Sequence, residues 1–161
     1  MARGTNNVAF TAPINPPGAT PVLTRAQVWA CLLLKIRSAE TFVPKAIQST
    51  IVLSETTDDG GNPVTTREIV FLEDQRKVKE IVTAYEDCRV EFLQPDKSKV
   101  FNIVSEVSEG ELCLTYVFEW RHGGASEEEM RTFMEKEKKM SRVAVEGTIT
   151  AMRELVVKGE I

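Results

Sequence analysis

At 161 residues, 42% hydrophobic and 27% charged, the chain is long enough to bury a sizeable core and is expected to form one domain over residues 1–161. Its net charge of −4 argues against nucleic-acid binding, which needs a basic face. The longest apolar run, VWACLLL at 28–34, is far too short to span a bilayer, and MARGTNNVAF has no hydrophobic signal region, so a soluble, cytoplasmic protein with no membrane partner is expected.

The first segment, NVAFTAPIN, has strand-like composition and stops at Pro16, Pro17 and Gly18. INPPGATPVL then reads as a rigid connector, because its prolines fix φ and lack donors. Thr24 followed three residues later by Gln27 has capping-box spacing. Val28, Leu32 and Ile36, with Trp29 and Leu33 beside them, form an apolar stripe, which predicts a helix from Arg25 to Arg37. SAETFVPKAIQS predicts a second, short helix that Pro44 cuts off.

Six β-like runs follow: STIVLSET, TTREIVFL, KVKEIVTAY, RVEFLQ, VFNIVSEV and LCLTYVFEWRH. Turn signals such as DDGGNP and PDKSK separate them, as in an antiparallel meander. Ser126 with Glu127, Glu128 and Glu129 is a capped helix start with acid at the positive dipole end. Met130, Phe133, Met134, Glu137, Met140, Ala144, Thr148, Ala151 and Leu155 recur at helical steps, predicting a long amphipathic helix of about nine turns. Small residues around Gly147 would let it lie close to a sheet, and its Met-rich first half suits an adaptable lining. The three cysteines, Cys31, Cys88 and Cys113, lack metal spacing and read as reduced, mostly buried thiols. With a single histidine, His122, a His-rich metal site is excluded, and no metal is expected.

The predicted class is α+β: a seven-stranded antiparallel sheet, two short N-terminal helices, and one long C-terminal helix to cover the sheet. A sheet curling around that helix leaves a space between them, a common small-molecule site. This order resembles the helix-grip fold of the START-like (SRPBCC) superfamily. FTAPINPPGATPVLTRAQVWACLLLKIR, FVPKAI, REIVF, VEFLQPD, SEVSEGELCLTYVFEWRH and VAVEGTITAMREL resemble the AtaL-like branch over nearly the whole chain. Some fungal members of that branch lie in secondary-metabolite gene clusters. The resemblance implies a curved sheet, a hydrophobic cavity between sheet and C-terminal helix, and no cofactor. It carries over no catalytic residues.

Alternation in the last strand puts Leu114, Tyr116, Phe118 and Trp120 on one face, expected to be the interior, with His122 following at the strand end. His122 is either at a cavity mouth or solvated. If Val100 and Val104 face inward, so does Asn102, whose amide then needs partners from protein, water or ligand. In the 66–82 hairpin, Arg67 shares a face with Ile69 and Phe71, and Glu80 with Val78 and Val82. Apolar residues on both faces leave two options: a buried, obligatorily paired Arg67–Glu80, or an exposed cross-strand pair of little worth. Glu137 lies on the apolar stripe of the long helix and is a second candidate acid or a solvated flank.

Three functions compete. An enzyme would perform cofactor-free cyclisation, isomerisation or dehydration with Arg67, Glu80, Asn102, Tyr116 and His122 as its polar groups. A carrier would hold a hydrophobic small molecule among Trp29, Phe71, Phe92, Leu114, Phe118, Trp120, Met130, Phe133, Met134 and Glu137, most of which double as core. A protein-interaction module would use the charged segment EEEMRTFMEKEKKMSR, whose mixed signs fit solvated i,i+4 pairs equally well.

Overall fold

The two longer helices start where their capping residues say they should. Thr24 accepts from the Gln27 amide, while the Gln27 side chain accepts from the Thr24 amide; Ser126 and Glu129 repeat the box. The computed structural model describes residues 4–161. Along the chain lie β1 (Thr5–Pro13), α1 (Arg25–Arg37), α2 (Ala39–Phe42), β2 (Ile47–Thr57), β3 (Pro63–Phe71), β4 (Lys77–Tyr85), β5 (Arg89–Leu93), β6 (Lys99–Glu106), β7 (Leu112–Arg121) and α3 (Glu127–Val157).

The strands form one antiparallel sheet in the order β1-β7-β6-β5-β4-β3-β2. Six consecutive strands make a meander, and β1 extends it by pairing with β7 from Arg121 to Cys113. Tight turns allow this: Gly61, in DDGGNP, takes φ +82°, which suits glycine, and the Asp58 carboxylate accepts from the Gly60 and Asn62 amides. Two register shifts in β2 bend the edge strand, as bulges do. This is the helix-grip architecture that the resemblance implies.

One sheet face is buried and holds the core. Val82, Ala84, Val90, Phe92, Val104, Leu114 and Tyr116 pack with Val28, Trp29, Leu32 and Ile36 of α1 and with Val145, Ile149, Met152 and Leu155 of α3. Burial on this scale is the main source of stability. A smaller cluster of Ala39, Ile47, Ile69 and Val78, flanked by Phe71, lies beneath α2. Helix α3 runs chiefly along β1 and β7 rather than over the middle of the sheet.

Several expectations need correction. In the middle of α3 the buried stripe runs through Ser141 and Val145, while Met140 is exposed and Ala144 half-buried. Gly147 faces the Phe42 carbonyl of α2 rather than the sheet, at a distance where an added Cβ would make an ordinary contact. Leu33 of α1 is exposed, and Lys35 is buried. Of the cysteines only Cys31 is buried; Cys88 is exposed next to β5, and all three thiols are free. The connector between β1 and α1 is pinned from both sides. Asn15 pairs with the Leu23 backbone, and Arg153 of α3 donates to the Ile14 and Pro21 carbonyls. Among the described residues, no helix is long and apolar enough to cross a membrane.

Candidate site on the inner face of the sheet

The pleat brings five polar and aromatic side chains to the buried face. Arg67 of β3 stands directly opposite Glu80 of β4, and Asn102 of β6 opposite Tyr116 of β7. Phe92 of β5 lies on the same face between them. Arg67 and Glu80 are buried, so the hairpin pair faces in.

Arg67 is almost fully engaged. Its Nε and Nη2 donate to Glu80 Oε1 at 3.0 and 2.8 Å, and its Nη1 donates to the Lys35 and Ile36 carbonyls at 3.0 and 2.9 Å. A helix leaves its last carbonyls unpaired, and a cation there is favourable. Arg67 therefore ties the end of α1 to the sheet. Gln94 Nε2 donates to the other Glu80 oxygen at 3.1 Å, and the guanidinium lies 4.8 Å from the Phe92 ring centre. This is a satisfied network with structural work to do.

Lys35 reaches the same region from α1, and its partners are fewer. Its Nζ donates to Asn102 Oδ1 at 2.7 Å and sits over the rings of Tyr116, at 4.5 Å, and Phe92, at 5.2 Å. An ammonium has three donors, and a ring face is a weak partner for the others. Burial, reinforced by the Arg67 charge and only partly offset by Glu80, lowers the Lys35 amine to about 7. Asn102 is fully buried, and its amide nitrogen has no hydrogen-bond partner among the described residues. The Tyr116 hydroxyl donates to Thr148 of α3 at 2.8 Å. Burial pushes that phenol well above its ordinary range.

Next to this cluster the inner face is only partly covered. Val100, Phe118 and Trp120 share the parity of Asn102 and Tyr116, yet remain half-buried. Phe118 and Trp120 stack at 5.4 Å. The first half of α3 meets β1 at Asn6 and the end of β7 at His122, with Met130 buried and Phe133 and Met134 half-buried. His122, just past β7, stacks on Phe133 at 4.3 Å and meets Glu137 Oε1 at 2.5 Å through Nε2. Glu137 is buried, and its Oε2 is unpaired among the described residues. Asn6 of β1 donates to the Met130 carbonyl at 3.3 Å, holding the helix against the sheet edge.

The residues expected to form a site thus separate into groups. Arg67, Glu80, Asn102, Tyr116 and Phe92 come together. Phe118 and Trp120 stack on each other along the same face, while His122, Phe133 and Glu137 meet at the start of α3, with Met130 buried and Met134 half-buried. Trp29 and Leu114 are packed in the closed core, and Phe71 joins the small cluster beneath α2, with the Arg76 guanidinium 4.7 Å from its ring centre. Lys35 is the residue that sequence reasoning missed. The signal was present, since Val28, Leu32 and Lys35 lie on one helical face, but a lysine is ordinarily assigned to water. A groove of about 650 Å³ lies elsewhere, between the connector (Pro16, Ala19) and α3 (Ile149, Thr150, Arg153, Val157).

A family model described as "AtaL: Acetylaranotin biosynthesis cluster protein L" matches residues 8–159. No curated protein matches the sequence. Among solved structures, that of Ara h 8.0201 superposes with a TM-score of 0.56 at 14% identity, covering 92% of this chain and 99% of the other. That of BexL, a di-domain ARO/CYC from the BE-7585A biosynthetic pathway, superposes with a TM-score of 0.56 at 12% identity over 94% of this chain. The chain spans half the length of BexL. At such identities these two likenesses speak for the fold.

Proposed function

This chain belongs to the AtaL family, and we propose that it binds a mainly apolar small molecule of secondary metabolism, such as a polyketide- or peptide-derived one. The ligand would lie on the inner face of the sheet beneath the first half of α3. The observation that carries this reading is the half-buried wall of Val100, Phe118 and Trp120 beside a buried polar cluster. Small-molecule sites combine such an apolar lining with a few placed polar groups. The metabolic setting is supported by the family's description as a biosynthesis cluster protein and by the pathway named for BexL.

A second reading, cofactor-free cyclisation, isomerisation or dehydration, is favoured by the Lys35 amine. A buried base near neutrality is suited to proton transfer, and Arg67 keeps one donor with which to orient a carbonyl. A carrier would return its ligand unchanged; an enzyme would not. Binding itself is tested with a neutral fluorescent probe, N-phenyl-1-naphthylamine. Saturable enhancement is expected, weakened at least several-fold in Phe118→Ala and Trp120→Ala with the circular dichroism unchanged. Absence of enhancement, or equal enhancement in all three proteins, would contradict the reading.

A further inference from the structure

We propose that Lys35 and Asn102 form an oxyanion subsite, which receives a carboxylate or enolate at one end of the ligand. The inference rests on the binding reading above and gives the ligand a chemical class. It follows from counting donors. Arg67 has four of its five N–H groups bonded, and both Glu80 oxygens are occupied. Lys35 has one hydrogen bond, and the Asn102 amide nitrogen has none among the described residues. Unpaired donors buried this deeply are rare unless something pairs with them.

Charge points the same way. The groups facing Lys35 are the Arg67 guanidinium of β3, the Glu80 carboxylate of β4 and the Tyr116 phenol of β7; α3 contributes the neutral Thr148. When Lys35 is protonated, two cationic side chains thus share one carboxylate, which Arg67 already holds. A ligand oxyanion restores the balance by charge-assisted hydrogen bonds to the Lys35 ammonium and the Asn102 amide. The body of the ligand then extends along the half-buried wall, since Val100 adjoins Asn102 on β6 and Phe118 adjoins Tyr116 on β7.

The subsite couples binding to a proton. In the free protein Lys35 is mostly neutral at pH 8 and mostly protonated at pH 6. An anion favours the ammonium, so binding at pH 8 takes up close to one proton and binding at pH 6 takes up almost none. Affinity for the anion therefore falls by up to about tenfold per pH unit above 7.

The test uses two probes of the same shape, 2-naphthoate and the neutral 2-acetylnaphthalene, titrated calorimetrically at each pH in two amine buffers of different protonation enthalpy, with no added oxyanion. The expected result is buffer-dependent heat showing proton uptake for naphthoate at pH 8, vanishing toward pH 6, and no uptake for 2-acetylnaphthalene. Lys35→Met should abolish the uptake and bring the preference for naphthoate to near unity, its fold checked by circular dichroism. The wild-type pH series decides the matter even if that variant fails to fold. Binding of the ketone without preference or proton uptake for naphthoate overturns the subsite alone. Binding of neither probe overturns the subsite together with the binding reading.

Discussion

Arg67 holds two strands and a helix end at one point. It pairs with Glu80 across the β3–β4 ladder and caps two carbonyls of α1. Removing one member of a buried pair leaves the other charged and unpartnered. Arg67→Met is therefore expected to cost about 3–5 kcal/mol in urea denaturation, and the double variant Arg67→Met/Glu80→Met to recover a large part of the loss. A double variant as unstable as the single one would contradict the pairing. Lys35 makes the opposite prediction. Its amine is lowered from the ordinary lysine value to about 7, so between pH 7 and the ordinary value the unfolded chain binds a proton that the folded chain does not. By linkage, this group makes the protein more stable as pH rises through that window, and its cost is fully present below pH 7. Lys35→Met is thus expected to raise the urea midpoint at pH 6.5, with the margin shrinking by pH 9.5. A margin independent of pH would show that the amine is not buried in this way. Strand parity put Arg67 opposite Glu80 but left open whether the pair is buried or exposed, because both faces of the hairpin carry apolar residues. Lys35 was not legible, because the chemistry of a lysine argues for water more loudly than its position argues for the core.

Helix boundaries followed the caps, because Thr24 and Ser126 accept from first-turn amides that have no partner within the helix. The buried face of α3 was harder to read. Met140 and Ala144 are more apolar than Ser141, but the helix turns its Ser141–Val145 line inward, where it must match the sheet and the short helix α2 at once. Local hydrophobicity does not contain that geometric demand. Gly147 shows the same limit, since its neighbour is a carbonyl more than one hundred residues earlier in the chain. A Cβ there would meet the Phe42 oxygen at 3.7 Å, an ordinary contact. Gly147→Ala is therefore expected to stabilise by roughly 0.5–1 kcal/mol, the helix-propensity difference, with a matching shift in the urea midpoint. Destabilisation would mean that α2 and α3 pack more tightly than the backbone indicates.

At the scale of the molecule, the element order and the antiparallel meander were legible because each strand and turn carries its own local signal. The site was legible only in part. Strand alternation brought out Asn102, Tyr116, Phe118 and Trp120, while the bond from Lys35 to Asn102 spans 67 positions and leaves no local pattern. Nor does any local pattern say which surface a ligand would use. The inner wall under α3 and the groove between the connector and α3 are physically separate candidates. A tryptophan placed in each distinguishes them, since it fills the space it enters. Met134→Trp would block the inner face and Thr150→Trp the groove, where Thr150 is an exposed lining residue. Titration of N-phenyl-1-naphthylamine into the two variants tests the central claim most directly. At least tenfold weaker binding to Met134→Trp, with Thr150→Trp matching the wild type, is the predicted result; loss in Thr150→Trp with Met134→Trp unaffected would contradict it.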